Sequence, residues 1–263
     1  MKLSVVVVTF NRKKILKQLL KRFKNQTDTD FEVIVVADGS TDGTQEWLEV
    51  YRKQVPFGLH WLDTGLTDRY GLAVARNMGI REALGEAVVI LDDDGFPTED
   101  FVKEHKKSVK HGVLTGGGIS HTDPYGNRKE QMHEYLEVYG DCAPKGFTPF
   151  KKHKHKYVVE NNTCMYKEDW LKSGLFDESV NEYGVIAYNF LDGLRDKGYL
   201  YQFNPRAKIV HKDEFKRSYG SRKKDPHTVP VWLKRIIYPL KQSMKKYSPG
   251  VYAKLKRLIG RSI

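Results

Sequence analysis

Cysteine is nearly absent: Cys142 and Cys164 are the only two in 263 residues. Two thiols make no disulfide framework, so the fold must rest on its core, and the expected compartment is reducing. Long apolar runs are missing as well. No stretch reaches the roughly 18–20 residues that a membrane-spanning helix needs. The apolar opening Met1-Lys2-Leu3-Ser4-Val5-Val6-Val7-Val8 is short for a secretory signal, and no small-residue cleavage site follows it. The expected location is therefore cytoplasmic. Internal repeats and low-complexity segments are also lacking. Acidic residues are scarce in one region only. From 216 to 263 there are 14 Lys and Arg against one acid, Asp225, whereas 1–215 carries 31 basic and 32 acidic residues. The net charge of +12 is thus the charge of a tail. That argues against a nucleic-acid surface spread over the body, and nucleic acid is not the expected partner.

What the body does have is alternation. Apolar, β-branched runs predict strands over 3–9, 31–37, 59–62 and 87–91. Helical spacing of apolar residues predicts helices over 12–23, 44–52, 72–84 and 101–110, and 113–115 reads as a strand entering a Gly116-Gly117-Gly118 turn. The second half is less regular, with strands expected at 157–159, 200–203 and 207–211 and helices at 167–173 and 185–197. Strands separated by helices imply an α/β fold, a mostly parallel central sheet with helices on both faces. Ligands of such folds sit outside the carboxyl ends of the strands. Asp38 and the triplet Asp92-Asp93-Asp94 both end predicted strands, so they are expected to face one crevice.

The triplet has no adjacent Lys or Arg in the chain. In extended backbone Asp92 and Asp94 point the same way. Carboxylates held that close repel unless a cation or proton intervenes, and a hard divalent ion, Mg²⁺ or Mn²⁺, is the natural neutraliser. A polar turn capping the following helix is the plainer alternative. A carboxylate at Asp38 can accept a hydrogen bond from the imide N–H of a uracil, with Thr9 contributing to the same base pocket; a turn-capping role is equally open.

The order and spacing of several segments resemble family 2 glycosyltransferases. These are Val5-Val6-Val7-Val8-Thr9-Phe10-Asn11-Arg12, Val35-Val36-Ala37-Asp38-Gly39-Ser40-Thr41-Asp42-Gly43-Thr44, Ala75-Arg76-Asn77-Met78-Gly79-Ile80, Leu91-Asp92-Asp93-Asp94, Asn161-Asn162, Phe176-Asp177-Glu178 and Ile209-Val210-His211. The resemblance covers roughly 3–211. It implies a GT-A fold and an inverting, metal-dependent transfer of a sugar from a nucleotide-sugar, with UDP ahead of other bases, to a glycan or lipid-linked acceptor. On that basis Thr9, Asp38, Arg76, Asp92 and Asp93 would hold the nucleotide-sugar. Asp92, Asp94 and His211 would hold Mn²⁺ or Mg²⁺, and Asn161 and Asn162 would line the acceptor side. The implied division is a catalytic domain over 1–215, with a donor half at 1–118 and an acceptor half at 119–215, followed by a tail at 216–263.

One departure stands out. Relatives carry a Glu-Asp pair opening the helix after the Phe-Asp-Glu segment, and its Asp is the usual general base. In this register the pair falls on Ile186 and Ala187. Neither side chain takes a proton, which puts turnover in doubt. Glu182 is the nearest substitute base, with Asp177, Glu178 and Asp192 as others. The alternatives are a weak enzyme, a nucleotide-sugar-binding protein that does not transfer, or a chain in which the two residues were replaced deliberately. Restoring the pair with Ile186→Glu and Ala187→Asp is expected to raise activity. A nucleotidyltransferase would share the carboxylates and metal, but it would carry a glycine-rich triphosphate loop where Thr9-Phe10-Asn11-Arg12 has no glycine.

In the tail, Pro230 can open a helix in which Leu233, Ile236, Ile237, Leu240, Met244 and Tyr247 share one face. Pro239 should kink it. Trp232, Leu233, Lys234, Arg235, Ile236 and Ile237 mix apolar and basic character in the manner of an interfacial helix. The expectation is a basic amphipathic tail that holds the body peripherally at an anionic membrane surface, at the cytoplasmic face of the plasma membrane. A helix docked on the body with its charges solvated is the alternative.

Overall fold

The computed structural model describes residues 1–122, 128–130, 148–149, 161–180 and 185–212. The first half runs β1 (Leu3–Thr9), α1 (Lys13–Phe23), β2 (Phe31–Ala37), α2 (Thr44–Tyr51), β3 (Gly58–Asp63), α3 (Leu72–Glu82) and β4 (Ala87–Asp92). After it come β5 (Gly95–Pro97), α4 (Phe101–Ser108), β6 (Val113–Thr122), β7 (Arg128–Glu130), β8 (Thr148–Pro149) and β9 (Thr163–Tyr166). The order ends with α5 (Lys167–Lys172), α6 (Val185–Asp196) and β10 (Leu200–Lys212).

One sheet runs in the order β3-β2-β1-β4-β9-β6-β10-β5, with β7 on β6 and β8 on β10. β1, β2, β3 and β4 are parallel to one another, as βαβ connections require. Every residue of β1 and β2 is buried, which explains their unbroken apolar sequence. Alternate side chains divide the core into two layers. Val6, Val8, Ile34, Val36, Val88 and Ile90 face α3, α5 and α6. Leu3, Val5, Val7, Val33, Val35 and Val89 face α1 and α4.

The second half is mixed rather than parallel. β9 runs antiparallel between β4 and β6, and β5 antiparallel to β10. These two short strands carry no pattern that separates them from loops. Two local expectations change. Gly116-Gly117-Gly118 lies inside β6, where the absence of side chains admits its neighbours: a Cβ on Gly117 would collide with the carbonyl of Ala207 and the amide of Asn162. The strands expected at 200–203 and 207–211 are one strand, β10, whose register against β6 shifts between Asn204 and Ile209. The strand expected at 157–159 and the whole tail beyond 212 lie outside the described residues.

Register places the site. Thr9 pairs with Ala37, and Val8 with Asp92. The carboxyl ends of β1, β2 and β4 therefore lie level, and Thr9, Asp38 and the acidic triplet meet along one edge.

Candidate active site

The turn after β4 carries the triplet, and its neutralisers are supplied from elsewhere in the fold. Asp93 is buried. Its Oδ2 accepts from Thr9 Oγ1 at 2.7 Å, and its Oδ1 lies 2.7 Å from Arg12 Nη1. Burial, reinforced by the charges of Asp94 and Asp92, pushes its carboxyl up to about 7 against the pull of Arg12 and Thr9. Asp94 behaves oppositely. Burial works against its ionisation too, but His211 and Arg12 outweigh it and hold the carboxyl at about 2. Arg12 Nη2 donates to Asp94 Oδ2 at 2.9 Å, and His211 Nε2 lies 3.2 Å from Asp94 Oδ1. The separation of 117 positions between Asp94 and His211 is closed by sheet pairing, because His211 on β10 is opposite Gly95 on β5. Asp92 Oδ1 accepts from Arg76 Nη2 at 3.0 Å, and Arg76, on α3, is buried with its guanidinium 5.3 Å from the Phe176 ring.

In the fold Arg12 and Arg76 face the triplet, for which the sequence suggested a divalent ion as neutraliser. The Thr9 hydroxyl, expected in a base pocket, donates to Asp93. Arg12 is the site residue that the sequence reading did not single out. Its signal was position alone, as the first basic side chain after the strand that runs beside β4.

Asp38 is buried at the end of β2. Its backbone N–H donates to Thr9 O, and its carboxylate accepts from Thr64 Oγ1 at 2.9 Å and from the Gly71 N–H at 3.0 Å. Gly71 is needed for that approach, since a Cβ there would strike Asp38 Oδ1. The neighbouring turns are tied together as well: Asn11, with φ of 51°, accepts from the Thr41 N–H at 2.7 Å.

Asn161 and Asn162 sit on the framework. Asn161 Oδ1 accepts from the Asp92 N–H at 2.9 Å. Asn162 is buried with φ of 58°; its amide donates to Gly118 O and Ala207 O, and its Oδ1 lies 2.8 Å from His105 Nε2. These bonds hold β4, β6, β10 and α4 together behind the acidic turn.

Ile186 and Ala187 are buried in the first turn of α6, and Ile186 belongs to the core layer that contains Trp170, Phe176 and Phe190. The substitute bases within the described residues are already engaged. Glu178 Oε1 accepts from Asn77 Nδ2 and Arg81 Nη1, Asp177 Oδ1 from the Ser179 N–H and hydroxyl, and Asp192 pairs with Arg195. Glu182 lies outside the described residues.

For a divalent ion, the donor chemistry at Asp94 and His211 is suitable, a carboxylate oxygen and an imidazole nitrogen side by side. Asp92 is turned to Arg76, and among the described residues no three His, Cys, Asp or Glu side chains converge on one point.

A βαβ-wound first half with an acidic turn at the carboxyl end of β4, joined to a mixed second half, is a GT-A fold. The chain belongs to glycosyl transferase family 2, whose family model matches residues 4–173. It is 33% identical to the uncharacterized glycosyltransferase YfnE of Bacillus subtilis strain 168, over 81% of this chain and 65% of that protein. It is 37% identical to the GalNAc(5)-diNAcBac-PP-undecaprenol beta-1,3-glucosyltransferase of Campylobacter jejuni, over 75% of this chain and 61% of that protein. Among solved structures, the mannosyltransferase PcManGT of Pyrobaculum calidifontis, in complex with GDP-Man and Mn²⁺, aligns with a TM-score of 0.63 at 24% identity, over 89% of this chain and 64% of that one. Staphylococcus aureus TarS 1-349 in complex with UDP-GlcNAc gives 0.60 at 21% identity, over 84% and 61%. The chain spans less than two thirds of the length of each of these proteins.

Proposed function

We propose that this protein binds a nucleotide-sugar, a UDP-sugar ahead of a GDP-sugar, and transfers the sugar with inversion to a hydroxyl of a glycan or lipid-linked acceptor. The observation that carries the reading is the meeting of Asp38, the acidic turn, Arg12, Arg76 and His211 at the carboxyl ends of β1, β2 and β4. Asp38 would receive the base. Asp94 with His211 would hold Mn²⁺ or Mg²⁺, with Asp92 and the diphosphate completing the shell. The ion supplies a positive charge for the leaving diphosphate. Arg12 and Arg76 would stabilise the charge that develops on the same oxygens. Held together, the substrates need no further collision to react. The neighbouring enzyme from Campylobacter is named for an undecaprenol-linked substrate, which supports a lipid-linked acceptor and a tail that works at a membrane.

A second reading rests on Ile186 and Ala187. With no carboxylate where the family places its base, the chain would bind donor and metal while transferring slowly. Thermal unfolding with a panel of nucleotide-sugars, with and without Mn²⁺, tests the first step. A matching donor at 100 times its Kd stabilises the fold by about 2.7 kcal/mol. No stabilisation by any nucleotide or nucleotide-sugar would sink both readings. Stabilisation without nucleotide release in the presence of acceptor would favour the second.

A further inference from the structure

We propose that Arg12 is the resident counter-cation of the acidic turn, and that a divalent ion binds there tightly only together with a donor's diphosphate, which draws Arg12 off Asp94. The proposal rests on the metal-binding reading above. Arg12 spans two carboxylates, with Nη1 2.7 Å from Asp93 Oδ1 and Nη2 2.9 Å from Asp94 Oδ2. The second oxygen of Asp93 is taken by Thr9 Oγ1, and the second oxygen of Asp94 faces His211 Nε2. Every oxygen of this carboxylate pair therefore has a partner. Arg76 holds Asp92 from the other side.

Two guanidiniums facing three carboxylates leave little net attraction for a free cation. An ion placed on Asp94 beside an unmoved Arg12 meets a like charge at close range. A diphosphate changes both terms. It offers the paired oxygen acceptors that a guanidinium fork fits best, so Arg12 exchanges one pair of oxygens for another. It also brings its own oxygens to the ion. Arg12 stands at the N-cap of α1 with φ of −132°, outside the helix proper, so its side chain can turn without unwinding the helix. Its side chain is 11% exposed, in contact with solvent on one side. The coupling is reciprocal: whatever factor the nucleotide adds to ion affinity, the ion adds to nucleotide affinity.

The test is Mn²⁺ binding to the full chain, followed by the electron paramagnetic resonance of free Mn²⁺, with and without UDP or GDP. Without nucleotide, Arg12→Gln should bind Mn²⁺ about tenfold more tightly than the parent chain, whereas Arg12→Lys, which keeps the charge, should stay within about threefold of it. Nucleotide should tighten Mn²⁺ on the parent by about tenfold and on Arg12→Gln by much less. Asp94→Asn should abolish the tight binding in each background, which assigns the ion to this turn. A folded Arg12→Gln chain that binds Mn²⁺ no more tightly than the parent overturns the proposal and leaves the metal reading standing. The absence of any binding sensitive to Asp94→Asn, with or without nucleotide, overturns the metal reading and the proposal with it.

Discussion

At His105 the fold suppresses a charge. The ring is buried against Phe101 with its Nε2 on Asn162, and burial drives its pKa down to about 4, against the smaller opposing effects of Asn162 and Glu104. The unfolded chain, with an ordinary histidine near 6.5, takes up the proton first as pH falls. Stability from this group is therefore complete above about pH 6.5 and drains away toward pH 4, by about 3 kcal/mol in all. Urea midpoints of the parent and His105→Asn, compared from pH 7 to pH 4.5, should show a steeper loss for the parent. Parallel curves would refute the assignment. The consequence reaches the site, because His105 holds Asn162, and Asn161 beside it holds the backbone of Asp92.

At the scale of elements, α6 carries the question of turnover. Its first turn contains no acidic residue, and the resemblance to the family places the expected base at Ala187. The structure separates two substitutions that sequence had joined. Ile186 is 3% exposed within the aromatic core layer, so Ile186→Glu buries a carboxylate and should cost about 3 kcal/mol or more. Ala187 is at the edge of burial, and an Asp in a first helical turn is favoured by about 0.3–1 kcal/mol. Ala187→Asp alone should leave the urea midpoint nearly unchanged and raise transfer by about a hundredfold, the usual contribution of a general base. Product formation with a donor that stabilises the parent is the measurement; unchanged turnover would mean that the base comes from elsewhere.

For the whole molecule, the charge partition argues a division of labour. The body over 1–215 is nearly neutral, and the tail holds the excess. No helix among the described residues is long and apolar enough to cross a membrane. Each Lys or Arg near an anionic leaflet contributes about 1 kcal/mol of attraction. Replacing Lys234, Arg235, Lys241, Lys245 and Lys246 with Gln should therefore abolish salt-sensitive binding to anionic vesicles and leave nucleotide binding intact. Equal binding of the parent chain to neutral vesicles would count against the electrostatic anchor.

Sequence by itself determined the first half of the fold. Buried parallel strands need unbroken apolar runs, and the helices between them need apolar residues at helical spacing, so β1, β2, β4, α1 and α3 were legible along with the carboxylates that end the strands. It also showed Ile186 and Ala187, neither of them acidic, where the resemblance implies a Glu-Asp pair, since that is a matter of residue identity. Only the tertiary structure decided which side chains of the chain face the triplet and which groups Asn161 and Asn162 hydrogen-bond. Arg12, Arg76 and His211 reach Asp94 and its neighbours across 16 to 117 residues of chain, by β1 lying beside β4 and β5 pairing with β10. A local pattern carries no record of such a contact. The short strands β5 and β9 and the glycines of β6 were hidden for the same reason: their form is set by the neighbours pressed against them, rather than by their own composition.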